Sequence, residues 1–457
     1  MLSPLLLLSL GLVLLPSGAA VLVPATSRSA AAKPKPARPP QLHVRIGDAW
    51  YDLTRWRSAH PAGTHWIDGY SDRDATEVFH AFHSDDANAM LTRLPRTVAE
   101  LRAKPPPALQ PSDLMISFRE LRDRLTVEGW FERVWWREAM VLAPCLSLFA
   151  FGTAVARVLP LVATVCLALG SVAAGWIGHD FVHGRGKWCG MMRGFGALFN
   201  GHSATWWSNK HNLHHACTNV VGVDEDIMAD PFFYLWAPDP SRDSKWRHLQ
   251  HLYMIPVYAS LFALWRFNSL RTLHSMRKHW SNESLLIALN YAWIALFLPL
   301  SVAIGHVFLS GVITATVVTA SHQSEEMLDE QPHDWVRAQL VTTRDAVTCS
   351  PFTEWLWGGM QYQIEHHLFP TMPRYKYPAL VPHIRQLCAD NQIEYRSEGE
   401  IAILKRNWQT LRAVAQAPAS PGAAESRSDT VWSRRSGAAW VGSDAHGDAA
   451  AEAGEGH

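Results

Sequence analysis

The chain has 457 residues, and its 41 Lys and Arg against 41 Asp and Glu give a formal net charge of zero. That length excludes a single small module, and the balanced charge leaves no global field to attract nucleic acid. Hydrophobic residues make up 48% of the chain and charged residues 18%; the apolar ones gather in long uncharged blocks, which places part of the chain in a membrane bilayer. The 23 His and 21 Trp outnumber the 12 Met and 10 Tyr, a balance that points to metal chemistry and interfacial aromatic anchors. The six Cys form neither a CxxC pair nor a cluster, so no disulfide framework or thiolate zinc site is expected.

In chain order, residues 1–40 read as a targeting or linker segment, a Leu-rich uncharged run followed by a Ser/Ala/Lys/Arg/Pro stretch without acids. Residues 41–95 form a small soluble α+β domain, with strand text at LHVRIGDAWYDL and acid-rich helical text at SDRDATEVFHAFHSDDANAML. Residues 96–137 are a Pro-rich connector and a pre-membrane helix. Two antiparallel spans are predicted over 139–156 and 158–178, both uncharged. A second pair is predicted between Ser284 and His322, where 38 uncharged residues precede the His and would make a helix of about 57 Å, twice a hydrocarbon core; the turn is placed near Leu298 to Ser301. The 14 residues Leu252 to Trp265, interrupted by Pro256, read as an interfacial or buried helix. The tail, 413–457, lacks hydrophobic periodicity and reads as disordered.

Three histidine clusters share one spacing: His179 and His183 in HDFVH, His211, His214 and His215 in HNLHH, and Gln363, His366 and His367 in QIEHH. Positions i, i+3 and i+4 share a helix face, so each cluster presents its side chains toward one point. Seven imidazoles exceed the need of one tetrahedral zinc and suggest a pair of metals, iron being the better fit. Ligands of one site must lie on one side of a bilayer, which requires an even number of crossings between the second and third clusters. Four spans satisfy this if Leu252 to Trp265 does not cross. The basic loops then place all three clusters and residues 41–138 in the cytosol.

Residues 41 to about 412 resemble the front-end fatty acid desaturases, membrane desaturases with a fused cytochrome b5-like domain. The text WWSNKHNLHHACTN, with Asp224, Asp226 and Asp230-Pro231 after it, is similar to the family's second-box region, and GGMQYQIEHHLFPTMPR to its third. The resemblance implies a desaturase domain over 138–412, a four-helix membrane protein with a His-rich di-iron cap. Its implied metal ligands are His179, His183, His211, His214, His215, His366 and His367, with Gln363 at the eighth box position and His322 of TASHQSEE as a further ligand. His306, mid-span, is expected to be structural or substrate-facing. His202, His248, His251, His274 and His279 match no family position and are assigned to solvated surface.

In the soluble domain, WYDLTRWRSAHPAG and DATEVFHAFHS resemble cytochrome b5, which implies haem b held by His60 and His83, with His80 the rival for the second place. Ala62 stands where that family has Gly. The acids Asp68, Asp72, Asp74, Glu77, Asp85 and Asp86 are a candidate docking patch for a basic reductase. The resemblance further implies electrons from NADH through a cytochrome b5 reductase, reduction of O2, a fatty acyl-CoA or phospholipid acyl substrate, and insertion of a cis double bond. Asp180, Glu365, Asp224 and Asp226 are candidate acceptors for ligand N–H groups; Trp206-Trp207 and Trp355 to Trp357 are candidates for the mouth of an acyl slot. Competing readings are a sphingolipid long-chain-base desaturase, a b5-fused lipid hydroxylase, and a non-catalytic electron carrier with haem and zinc. The endoplasmic reticulum is the expected membrane, with a plastid as the alternative suggested by the amino terminus.

Overall fold

The computed structural model describes residues 41–60, 65–83, 85–97, 110–276 and 281–420. The targeting segment, Ala62, the run Pro105 to Pro107, His279 and the tail after 420 lie outside the described residues.

Alternation of apolar and polar residues makes β1 (His43–Ile46) and β2 (Ala49–Asp52) an antiparallel hairpin, in register His43 to Asp52. Gly47, at φ 63, supplies the left-handed turn between them. β3 (Arg73–Asp74) pairs parallel with the other side of β1, giving the order β2-β1-β3. Val44 and Ile46 point from this sheet into a core shared with Val78 and Ala81 of α1 (Thr76–Phe82). α2 (Asp85–Leu91) follows. The acids expected to form a free patch are partly spoken for: Asp68 pairs with Arg57 at 3.2 Å, and Asp74 and Glu77 pair with Arg119 of α3 (Asp113–Val127).

Among the described residues three helices are long and apolar enough to cross a membrane: α4 (Trp135–Val155), α5 (Pro160–His183) and α11 (Leu300–Ala320). Pro160 starts α5, where its missing N–H costs no helix bond. Between α5 and α11 lie α6 (Gly186–Met192), α7 (Phe195–Asn200), α8 (Ala204–Ala216), α9 (Gln250–Ser275) and α10 (Asn282–Phe297). The expected second pair is present as α10 and α11, turning at Leu298-Pro299, but α10 has 16 residues and spans about 24 Å. By length and composition three spans are therefore supported among the described residues, and α10 falls short of the expected fourth. The segment Leu252 to Trp265 is not a short helix: it lies within the 26 residues of α9, which runs through Pro256 and carries the buried Arg266. Apolar faces of these helices are left uncovered, as at Leu161, Leu296 and Phe308, the surface that lipid would cover.

The remaining helices form a cap with two short parallel strands, β4 (Asp345–Val347) and β5 (Ser397–Gly399). They are α12 (Trp335–Thr342), α13 (Pro351–Trp357), α14 (Gln363–Leu368), α15 (Tyr377–Asp390) and α16 (Glu400–Gln416). α16 continues into the expected disordered tail because Ile403, Leu411 and Ala415 pack inward at helical spacing.

Candidate metal centre

Each histidine cluster sits on a helix, and the helices converge. His179 and His183 are one turn apart at the end of α5, His211, His214 and His215 close α8, and His366 and His367 lie on α14. His322 stands two residues beyond α11. All eight are buried. Ser203 starts α8 by accepting from the Trp206 amide at 3.0 Å, which sets the phase that turns its three imidazoles inward.

Tertiary packing divides the eight into two sets. Ring nitrogens of His179, His183, His211, His215 and His366 lie within 4.8 Å of one another, as do those of His214, His322 and His367. The Nε2 atoms of His179 and His211 are 2.7 Å apart. The Nε2 atoms of His366 and His367 and both ring nitrogens of His183 have no hydrogen-bond partner among the described residues. Buried nitrogens left unpaired beside other imidazoles are costly unless a cation takes their lone pairs. Burial pushes His211, His215, His366 and His367 well below the ordinary histidine pKa, with neighbouring imidazoles adding to the effect, so they stay neutral and able to bind metal. The donor set therefore fits two adjacent ions. Gln363 stands beside the smaller set, its Nε2 2.8 Å from His322 Nε2.

Outer partners fix the rings. His214 Nδ1 meets Asp224 at 2.7 Å, and His211 Nδ1 meets Asp226 at 3.2 Å. His367 Nδ1 meets Gln339 Oε1 at 2.8 Å, His366 Nδ1 the Tyr377 hydroxyl at 3.2 Å, and His322 Nδ1 the Thr342 carbonyl at 3.2 Å. These contacts turn Nε2 toward the centre. Asp224 and Asp226 take the orienting place anticipated for them. Asp180 does not: Arg133 grips both its carboxylate oxygens, at 2.9 and 3.0 Å. Glu365 does not either, since it accepts from the Tyr395 hydroxyl at 2.9 Å and faces Asp345; burial raises both carboxyls, and the neighbouring Asp345 raises Glu365 further. Gln339, Tyr377 and Thr342 were missed because nothing in their local sequence marks them.

A cavity of about 430 Å³ opens beside the two sets, lined by His179, His211, His214, His322 and Gln363 and by apolar groups that include Leu261, Trp265 and Val318. Of the tryptophans expected at its mouth, Trp207 lines it, while Trp206 and Trp355 to Trp357 do not; Trp176 and Met360 take that wall. His202 is not a surface residue: it is buried against Phe262 and Trp265 and lines the cavity. His248 is exposed as expected, its Nδ1 meeting the Ala415 carbonyl, and His251 is half-buried with its ring against Trp408. His274 is exposed. His306 is structural, bonded through Nδ1 to the Val302 carbonyl of its own helix at 2.9 Å.

In the small domain the rings of His60 and His83 face each other with centroids 6.1 Å apart, a gap suited to one metal-bearing layer between two imidazoles. His83 Nδ1 bonds the Phe79 carbonyl at 3.0 Å and its ring stacks on Phe79. His80 instead stands edge-on to Phe79.

The fatty acid desaturase family pattern matches residues 152–399, more than half of the chain, and the cytochrome b5-like haem/steroid-binding domain matches residues 36–100. The chain belongs to the fatty acid desaturase family: it is a membrane-bound oxidoreductase acting on fatty acyl chains, with a fused b5-like domain. Among its relatives are the fatty acid desaturase 2-like protein FADS2B of Mus musculus, 29% identical over 78% of this chain and 80% of its own length. The delta(6)-fatty-acid desaturase fat-3 of Caenorhabditis elegans is 29% identical over 82% of this chain and 96% of its own length. The delta(8)-fatty-acid desaturase of Euglena gracilis is 28% identical over 82% and 97%.

Proposed function

We propose that the protein is a front-end acyl desaturase, inserting a cis double bond into a long-chain or polyunsaturated acyl chain in the cytosolic leaflet of the endoplasmic reticulum. The observation that carries this reading is the pair of adjacent all-imidazole sets opening onto an apolar cavity. His179, His183, His211, His215 and His366 would hold one iron ion; His214, His322 and His367 the other, with Gln363 beside them. Bound there, the ions supply the O2-dependent oxidation of an unactivated methylene, which no side chain can perform. The chain itself positions: Leu261, Trp265 and Val318 receive the acyl chain and exclude water from it, and Asp224, Asp226, Gln339 and Tyr377 hold the imidazoles in the tautomer that turns Nε2 inward. His60 and His83 would hold haem b between them, and the group would supply single electrons there, since holding by two imidazoles leaves it no place for O2. A cytochrome b5 reductase would feed it from NADH.

The desaturase domain then covers residues 138–412, the haem domain 41–95, with 96–137 between them and 413–457 as a tail. If α10, short as it is, crosses with α11, four crossings keep both parts of the centre on one side.

Expression in a yeast lacking such enzymes, fed eighteen- and twenty-carbon fatty acids, tests the reading. A new double bond on the carboxyl side of an existing one, located by mass spectrometry and absent from His366→Ala, supports it. A hydroxylated acyl chain or a modified sphingoid base in place of the new acyl double bond overturns it.

A further inference from the structure

The haem domain does not hang on a tether. Its buried residues Val44, Tyr70, Val78 and Ala81 belong to one continuous apolar core with Leu213 and Ile364 of the histidine cap. Polar contacts fix the orientation. Arg119 of α3 pairs with both Asp74 and Glu77, the Glu77 side chain being only 1% exposed. Tyr70 donates to the Ala216 carbonyl at 3.3 Å, directly after the second histidine cluster, and Arg73 donates to the Gln331 carbonyl at 2.9 Å. Arg185, two residues past His183, donates to the His80 carbonyl. A charge pair buried this deeply resists separation, since parting it would strand Glu77 without its cation.

This docking brings an aromatic side chain of the haem domain against the metal-binding histidines. Phe82 ends α1, next in the chain to His83, and its ring meets the ring of His215 edge-on at 6.3 Å between centroids, with planes at 84°. His215 is one of the five histidines of the larger set. We propose that Phe82 is the positioning residue through which electrons pass from the haem to the metal held by the five-histidine set, so that reduction enters at that set rather than at the three-histidine one. The inference rests on the proposed reading of both centres. In each transfer one electron leaves ferrous haem, which becomes ferric, and reduces the ferric ion at the five-histidine set; the first electron then passes on to the ferric ion of the three-histidine set, so that the second transfer again meets a ferric ion and both ions end ferrous. Two transfers, with two protons from water and the two hydrogens removed from the acyl chain, reduce O2 to two waters; the electrons originate from a reduced pyridine nucleotide through a flavin reductase.

The test uses the full chain loaded with haem and iron, comparing wild type with Phe82→Leu, which keeps an apolar side chain without the ring, and Phe82→Tyr, which keeps the ring. Haem absorbance, iron content and the rate of haem reduction by NADH and reductase are measured first, and then haem reoxidation after mixing with aerated acyl substrate. The expected result is unchanged loading and reduction, with reoxidation slowed about ten- to hundredfold in Phe82→Leu and restored in Phe82→Tyr. Equal reoxidation in wild type and Phe82→Leu overturns the route while leaving the function intact. Absence of substrate-dependent reoxidation in wild type overturns the functional reading, and the route with it. Should Phe82→Leu load poorly, Phe82→Met serves as the second ringless variant, judged by the same ratio of reoxidation to reduction rates.

Discussion

Asp224 accepts from His214 Nδ1 at 2.7 Å and from the Asn219 amide at 2.8 Å, so one carboxylate fixes both an imidazole and the loop that follows its helix. Asn219 in turn donates to the His322 carbonyl at 3.0 Å, joining two ligands of the smaller set. Asp224→Asn keeps the shape and removes the charge that raises imidazole basicity; iron affinity should fall about ten- to hundredfold, read by competition with a chelator. The same reasoning separates the haem candidates. His83→Ala should abolish haem absorbance, whereas His80→Ala should retain it, because His83 faces His60. His80 reports on pH instead: burial pushes its pKa down to about 4, with Arg122, Arg185 and Arg119 also disfavouring the charged form. Folded His80 stays neutral down to that pH, while the unfolded residue protonates near about 6.5. Its contribution is therefore fully present above pH 6.5 or so and is lost as pH falls toward 4. Thermal midpoints measured across that window should decline less in His80→Gln than in wild type.

At the scale of elements, the membrane helices pack closely where side chains vanish. A Cβ built on Gly311 of α11 would lie 2.6 Å from the Ala259 carbonyl and 2.8 Å from that of Tyr258 on α9. Those are backbone atoms, which cannot swing aside as a side chain would. Gly311→Val should cost about 1–3 kcal/mol through overpacking, seen as a lower thermal midpoint in detergent. The consequence reaches the site, since α11 leads directly into His322 and both helices line the cavity. Helix periodicity made the clusters legible: HDFVH, HNLHH and QIEHH declare a shared face from spacing alone. The length of α9 was not legible, because Arg266 and Pro256 interrupt its apolar run while tertiary partners compensate. Arg266 donates to the Asn200 carbonyl at 2.8 Å, a bond between residues 66 positions apart that no local pattern announces.

For the whole molecule, the central fact is that haem domain, cap and membrane helices share buried surfaces. Arg119→Ala would leave Glu77 buried without its cation, a loss of about 3–5 kcal/mol. Proteolysis should then separate the small domain from the cap at protease levels that spare the wild type. The sequence by itself determined the long apolar helices and the three histidine clusters, because those signals depend on composition and on spacings within one or two helix turns; the haem part was legible through its resemblance to cytochrome b5. Only the tertiary structure decided how eight histidines divide into five and three, that Gln339 and Tyr377 rather than Asp180 and Glu365 orient them, and that Phe82 touches His215. Each of those facts joins side chains from different elements, and such partners are chosen by packing geometry and by the cost of leaving a buried polar group unpaired.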